Sequence, residues 1–151
     1  MRIACLHTAA SNIATFAGIG TGDIALAHTV RADLLADAEA AGQLTDAIAD
    51  RAAAALLDLA KDTDAVLLTC STIGPSAQRA AAMTAVPVLR VDQALAQTVI
   101  KATRDRALVL YAVATTYEPT RQMFETERGE SSVTIDFREV SGAWPRFKSG
   151  D

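Results

Sequence analysis

Short apolar runs of strand type alternate with helical patterns along this chain of 151 residues. The strand-type runs lie at residues 3–7, 24–28, 65–69, 86–91, 107–113 and 133–137. Apolar residues recur at helical spacing over residues 32–41, 46–61, 75–83, 93–103 and 119–127. This alternation predicts an α/β fold in which a parallel sheet has helices on both faces.

Local signals refine this outline. Thr45 stands in the N-cap position of the second predicted helix. Residues 8–22, rich in glycine, alanine, serine and threonine, predict a loop between the first two strands, and its length favours a functional or mobile loop. Residues 141–151 carry Trp144 and Phe147 but predict no helix or strand.

Composition and charge argue against two classes of partner. The net charge of −4 and the scattered basic residues argue against a nucleic-acid surface, which needs a basic patch. No apolar run reaches the roughly 18–20 residues that cross a bilayer, and the first residues lack the pattern of a signal peptide. We therefore expect a cytoplasmic protein without a membrane partner. Cys5 and Cys70, which form no CxxC pattern, are expected to be reduced thiols.

Polar residues follow several predicted strands at the point where each strand ends. They are His7-Thr8, Cys70-Ser71-Thr72, Asp92 and Thr115-Thr116. Sites in open parallel sheets lie outside these carboxyl ends, at a topological switch point. The sequence therefore predicts a functional site at this edge of the sheet.

Cys70 is the first candidate for chemistry. It ends an apolar strand, and Gly74-Pro75 starts a helix shortly after it. A helix amino terminus favours the reactive thiolate and offers N–H groups to an anion. The alternative is a small buried hydrophobe, with Ser71 or Thr72 serving to cap the helix.

Two further pairs of residues are candidates for binding a carboxylate. Ser11 and Asn12 lie in the predicted loop, where ordinary turn chemistry is the alternative. Thr115 and Thr116 precede a helix that starts near Pro119, so they either cap that helix or bind a second anionic group. Both roles stay open at this point.

The histidines and the second cysteine give weaker signals. His7 either polarises a substrate or pairs with the thiol, or is a satisfied structural residue. Cys5 is expected in the core, pointing away from the face that His7 uses. Two histidines without cysteine or carboxylate at ligand spacing do not make a zinc site, so we expect no metal.

Four segments together resemble the aspartate/glutamate/hydantoin racemase superfamily. They are IACLHT at 3–8, LLTCSTIGP at 67–75, VPVLRVD at 86–92 and TTYEPT at 115–120. The resemblance covers nearly the whole chain, and the Cys-Ser-Thr segment is its most specific part.

The resemblance implies two similar α/β lobes with an active site between them and no cofactor. It places the amino-terminal lobe at residues 1–95 and an incomplete second lobe at 96–151. Family racemases use one cysteine from each lobe, on opposite sides of the substrate α-carbon, and Cys70 matches the cysteine of the first lobe. Ser71, Thr72 and, more weakly, Asn12 match carboxylate binders. Thr115 and Thr116 match the anion-binding turn of the second lobe.

Two departures from the family pattern shape the expected function. Tyr111-Ala112 stands where many relatives carry an Ala-Thr pair. Family members continue past the point that matches residue 151, through the strand that carries their second catalytic cysteine or its replacement, so we expect that one copy of this chain cannot assemble a two-thiol racemase. A second lobe with two strands would also expose apolar edges, which predicts a homo-oligomer.

The expected function is therefore that of a cofactor-independent racemase or isomerase acting on a small carboxylate of amino-acid or hydantoin type. Three alternatives stay open. The chain is a shortened carboxylate-binding relative, an enzyme similar to arylmalonate decarboxylases or maleate isomerases, or a piece of a longer protein.

Overall fold

The computed structural model describes residues 1–19, 22–103 and 105–149, and over these residues the protein is mixed α/β. The strands are β1 (Arg2–His7), β2 (Ala25–Val30), β3 (Ala65–Leu68), β4 (Val88–Arg90), β5 (Arg106–Tyr111) and β6 (Thr134–Glu139). The α-helices are α1 (Ser11–Ala17), α2 (Ala32–Ala41), α3 (Asp46–Ala60), α4 (Pro75–Ala81), α5 (Val91–Ala102), α6 (Tyr117–Arg128) and α7 (Ala143–Ser149). None of the helices in these ranges is both long and apolar enough to cross a membrane.

The chain divides into two compact units, Met1–Val91 and Asp92–Asp151. The first unit contains a four-stranded sheet in the order β2-β1-β3-β4. All of its neighbouring strands are parallel, which confirms the predicted α/β class. The central strand β1 is buried on both faces, as parallel strands in layered folds are.

One face of this sheet packs against α2, α3 and α4 to form the main core. Leu6, Val66 and Leu68 project into it from β1 and β3. On α3, Ile48, Ala52 and Leu56 recur at helical spacing and are buried there. Small alanine side chains on α3 and α4 also lie in this core, so the two helices can approach each other closely.

Thr45 caps α3, as the sequence predicts. Its side-chain oxygen accepts a hydrogen bond from the backbone N–H of Ile48 at 3.4 Å. The bond satisfies one of the backbone donors that a helix start leaves without an intrahelical partner.

The opposite face of β1 carries Cys5 and His7, and α1 contacts it through Phe16. The Phe16 ring lies 5.6 Å from the His7 ring. The prediction of a loop over residues 8–22 is thus wrong for Ser11–Ala17. A helix of seven residues carries too little periodicity to be seen in the sequence, because packing rather than propensity stabilises so short an element.

The second unit contains a two-stranded parallel sheet of β5 and β6. Met123 and Phe124 of α6 and Ala96 of α5 form its small core. The other face exposes Leu108 and Leu110, which are 55% and 58% exposed. The apolar surface expected of so small a sheet is therefore present, while the homo-oligomer that would cover it stays a prediction.

The last described helix, α7, corrects a second sequence prediction. It forms within residues 141–151, where neither helix nor strand is expected. Trp144 and Phe147, three residues apart, stack with their rings 5.2 Å from each other. The residues of α7 are half-buried or exposed, so no apolar face against a core marks it in the sequence.

The core of the first unit gives a stability prediction. Leu56→Ala removes a fully buried side chain and leaves a cavity, so we expect it to lower the free energy of unfolding by about 2–5 kcal/mol. The matched control is Leu95→Ala on α5, where the side chain is 60% exposed and the change should stay within about 0.5 kcal/mol. Urea titration followed by circular dichroism measures both. Equal losses in the two variants would contradict this core assignment.

Candidate functional site

The topological switch point of the four-stranded sheet lies between β1 and β3. The chain leaves β1 toward β2 on one side, and leaves β3 toward β4 on the other. Crevices at such points are where open α/β sheets bind ligands. His7 ends β1, Leu68 ends β3, and Cys70 follows two residues later, so the structure places Cys70 at this switch point.

The Cys70 turn joins β3 to α4. Cys70 is a half-buried cysteine that forms no disulfide and packs against the main core. Ser71 is half-buried and its carbonyl accepts a hydrogen bond from the Gly74 N–H at 3.0 Å, whereas Thr72 is buried. The N-cap residue of α4 is Gly74, so neither Ser71 nor Thr72 occupies that position.

Arg90 positions the far end of this turn and was not singled out in the sequence. It ends β4 and is only 6% exposed. Its guanidinium lies so close to Gly74 that a Cβ at this position would collide with it. A cation inside the apolar run VPVLRV was the signal that could have found it, because arginine is seldom buried without a specific reason.

A chain of hydrogen bonds links β3, β1 and β2 beside the switch point. The Thr69 hydroxyl donates to the Leu6 carbonyl at 3.2 Å. His7 Nδ1 lies 2.8 Å from that hydroxyl oxygen, and His7 Nε2 lies 2.9 Å from His28 Nδ1. Since the Thr69 proton is used, His7 donates from Nδ1 and accepts at Nε2 from the Nδ1–H of His28.

Cys5 belongs to the same cluster as the two histidines. The prediction that it points away from His7 is wrong, because residues two apart on a strand share a face. The register of β1 and β2 also sets Cys5 opposite His28. One ligand atom from each of Cys5, His7 and His28 lies within 4.8 Å of the other two, so these residues could hold a metal. Sequence reasoning missed the cluster, although Cys-x-His on one strand was the available signal.

Burial sets the ionisation of this cluster. Cys5 and His7 are fully buried and His28 is half-buried. Desolvation raises the pKa of the Cys5 thiol. The pKa of His7 is lowered, first by desolvation and second by the Coulomb interaction with His28. Both groups are thus held in their neutral forms.

Ser11 and Asn12 lie on the first turn of α1, which follows β1, at the same edge of the sheet as Cys70. Ser11 is exposed and Asn12 is half-buried. The Asn12 N–H donates to the Ala9 carbonyl at 3.2 Å, which closes the turn into the helix. The structure therefore places both residues at the predicted edge of the sheet.

Thr115 and Thr116 belong to the second unit. They lie in a 3₁₀ turn, Ala114–Thr116, between β5 and α6, where Thr115 is buried and Thr116 half-buried. Thr116 is the N-cap residue of α6, but its side chain makes no capping hydrogen bond. Among the described residues, two buried hydroxyls have no hydrogen-bond partner: Ser76 on α4 and Thr120 on α6. Each lies close in sequence after a predicted carboxylate-binding turn.

Comparisons of this chain with family models, with curated proteins and with solved structures find no match.

The two thiols should differ in reactivity. Cys70 is half-buried, whereas Cys5 is fully buried and the pKa of its thiol is raised, so the nucleophilic thiolate is scarce there. We expect iodoacetamide to add one group to the native protein, at Cys70, and a second at Cys5 only after unfolding in urea. Peptide mass spectrometry locates the adducts. First modification at Cys5 would contradict the placement of both residues.

His7 should make stability depend on pH. Its pKa in the folded state lies below the ordinary value of 6.5, so the unfolded chain takes up the proton first as the pH falls. The free energy of unfolding should therefore decrease between pH 7 and pH 5, measured by urea titration with a chelator present. His7→Gln should reduce this slope. The carboxyl groups with a lowered pKa, such as Glu118, start from an ordinary value of 4.5 or less and contribute mainly below pH 5. An unchanged slope in His7→Gln would contradict the prediction.

Proposed function

We propose that this protein is a cofactor-independent racemase- or isomerase-like enzyme that moves a proton at the α-carbon of a small carboxylate. One observation carries the proposal: the half-buried Cys70 thiol lies at the β1/β3 switch point. The resemblance of the Cys70 turn to the racemase superfamily supplies the reaction type.

In the proposed step, the Cys70 thiolate removes the α-proton of the substrate. The electrons of the C–H bond move into the adjacent carboxylate or carbonyl group and give an enolate-type intermediate. Returning a proton from the thiol to the same carbon completes the reaction and regenerates the thiolate. Exchange of the thiol proton with solvent before return replaces the α-hydrogen with deuterium in heavy water.

The negative charge that develops on the substrate oxygens needs hydrogen-bond donors. Such electrostatic stabilisation is usually the largest catalytic contribution. In this proposal Ser71, Thr72 and Asn12 supply donors from the first unit. By the resemblance, Thr115 and Thr116 of the second unit are proposed to bind an anionic group.

A second candidate is decarboxylation with Cys70 as the proton donor, or carboxylate binding without turnover. The chain has two cysteines, and Cys5 is fully buried and occupied with His7 and His28. Only Cys70 is therefore partly exposed. A single thiol suffices to protonate the enolate-type carbanion that loss of carbon dioxide from a malonate leaves, as in the arylmalonate decarboxylases that the sequence also resembles.

Hydrogen exchange in heavy water tests the main proposal. The purified protein is incubated with aspartate, glutamate, a hydantoin and an arylmalonate, and proton NMR follows the α-hydrogen while carbon dioxide release is measured in parallel. We expect α-deuteration of at least one substrate, with a loss of about 10²-fold or more in Cys70→Ala, since a positioned acid or base contributes that much.

The matched control is Ser132→Ala, which removes an exposed hydroxyl remote in sequence from every proposed site residue and should leave the exchange rate unchanged. Ser71→Ala, the corresponding change in the Cys70 turn, should slow it. No exchange and no carbon dioxide release with any substrate would overturn the enzymatic proposal. Protection of Cys70 from alkylation by a dicarboxylate would in that case support carboxylate binding alone.

A further inference from the structure

We propose that Cys5, His7 and His28 form a binding site for one zinc ion, distinct from the proposed Cys70 chemistry. The three side chains come from β1 and β2 and lie on one face of the sheet. Cys5 and His7 lie in the IACLHT segment of the resemblance, but the proposed function gives the cluster no role.

The donor atoms suit zinc. One thiolate sulfur and two imidazole nitrogens are ligands that Zn²⁺ prefers, with bonds of about 2.3 Å to sulfur and 2.0–2.1 Å to nitrogen. Tetrahedral angles at those lengths place donor atoms about 3.4–3.6 Å apart. The donors here lie within 4.8 Å of one another, and the two facing imidazole nitrogens are 2.9 Å apart. Shifts of about an ångström in the side chains therefore complete the geometry.

Thr69 orients His7 for this role. Metal-binding histidines usually donate their second ring N–H to a fixed acceptor, which sets the ring orientation and the tautomer. The Thr69 hydroxyl already donates to the Leu6 carbonyl, so its oxygen accepts from His7 Nδ1. The lone pair of His7 Nε2 then faces the cluster, as a metal ligand requires.

The three residues of the cluster differ in exposure. Cys5 and His7 are fully buried, while His28 is half-buried, so an ion reaches the cluster from the His28 side. With three protein ligands, a tetrahedral zinc ion takes a water molecule as its fourth ligand. Zinc sites that are not purely structural have this number of protein ligands.

Binding changes the protonation of the cluster in a balanced way. The Cys5 thiol loses its proton to solvent and binds as thiolate. His28 Nδ1 exchanges its proton to Nε2 through solvent, and coordinate bonds from His7 Nε2 and His28 Nδ1 replace the hydrogen bond between them. The bond from His7 Nδ1 to Thr69 is kept.

Metal titration of the folded chain tests the site. The protein is treated with chelator, loaded with Zn²⁺ and passed through gel filtration, and elemental analysis gives the ratio of zinc to chain. We expect one zinc per chain. Titration with Co²⁺ should give a thiolate-to-cobalt charge-transfer band that is lost in Cys5→Ser. Thr69→Val should weaken zinc binding by about 10–100-fold, as loss of an outer-shell partner does, and His28→Gln should weaken it more.

Cys70→Ala is the matched cysteine control and should keep the charge-transfer band. Wild-type protein alkylated at Cys70 should keep it as well, so the assignment holds even if Cys5→Ser does not fold. Absence of bound zinc in wild-type protein whose circular dichroism shows it folded would overturn the proposal. A band that follows Cys70 instead of Cys5 would overturn it too.

Discussion

The burial of β1 is the constraint on which the rest of the first unit depends. The residues Ala4, Cys5, Leu6 and His7 are at most 2% exposed. A polar group in such a strand must find a protein partner, since a buried donor or acceptor without one costs roughly 1–3 kcal/mol. His7 meets this need on both ring nitrogens, with Thr69 on β3's side and His28 on β2's side. The two hydrogen bonds of His7 thus favour the observed register in which β1 pairs with β2 on one side and with β3 on the other.

Thr69, the partner of His7, also fixes the chain just before Cys70. The backbone N–H and the hydroxyl of Thr69 both donate to the Leu6 carbonyl, at 3.1 Å and 3.2 Å. At the other end of the turn, Arg90 lies against Gly74 and leaves no space for a larger residue. The Cys70 thiol therefore stands between two restrained points, which is what a positioned acid or base requires.

Sequence periodicity predicted the elements that bury a regular apolar face. The helix over residues 32–41 matches α2 at both ends, and Thr45 caps α3 as expected. The missed helices, α1 and α7, are short and bury no residue fully, so no periodic pattern marks them. At most of their ends, the strands begin or stop one or two residues away from the predicted bounds. The apolar run that marks a strand in the sequence extends beyond, or stops short of, the residues that pair in the sheet.

The candidate site was predictable only where it is local in sequence. The Cys70 turn is one continuous segment, and its place at a strand end follows from the alternation of strands and helices. The cluster of Cys5, His7 and His28 depends on which strands are neighbours and in what register. A single sequence does not carry that information, and the misjudged alternation of Cys5 and His7 removed the one local signal. Arg90 was missed for the same reason, since its partner surface at Gly74 comes from another strand-helix connection.

The two proposed sites meet at Thr69 but place different demands on it. Zinc binding uses the Thr69 hydroxyl oxygen as the acceptor that orients His7. The position of Cys70 depends instead on the hydrogen bonds that Thr69 donates to the Leu6 carbonyl. Of the hydrogen bonds in the cluster, only the one between His7 Nε2 and His28 Nδ1 is lost when the ion binds, so the link between β1 and β3 is the same in both states. The zinc ion would therefore replace one hydrogen bond between β1 and β2 with a stronger cross-link. It would stabilise the strand that positions Cys70 and take no part in the proton transfer.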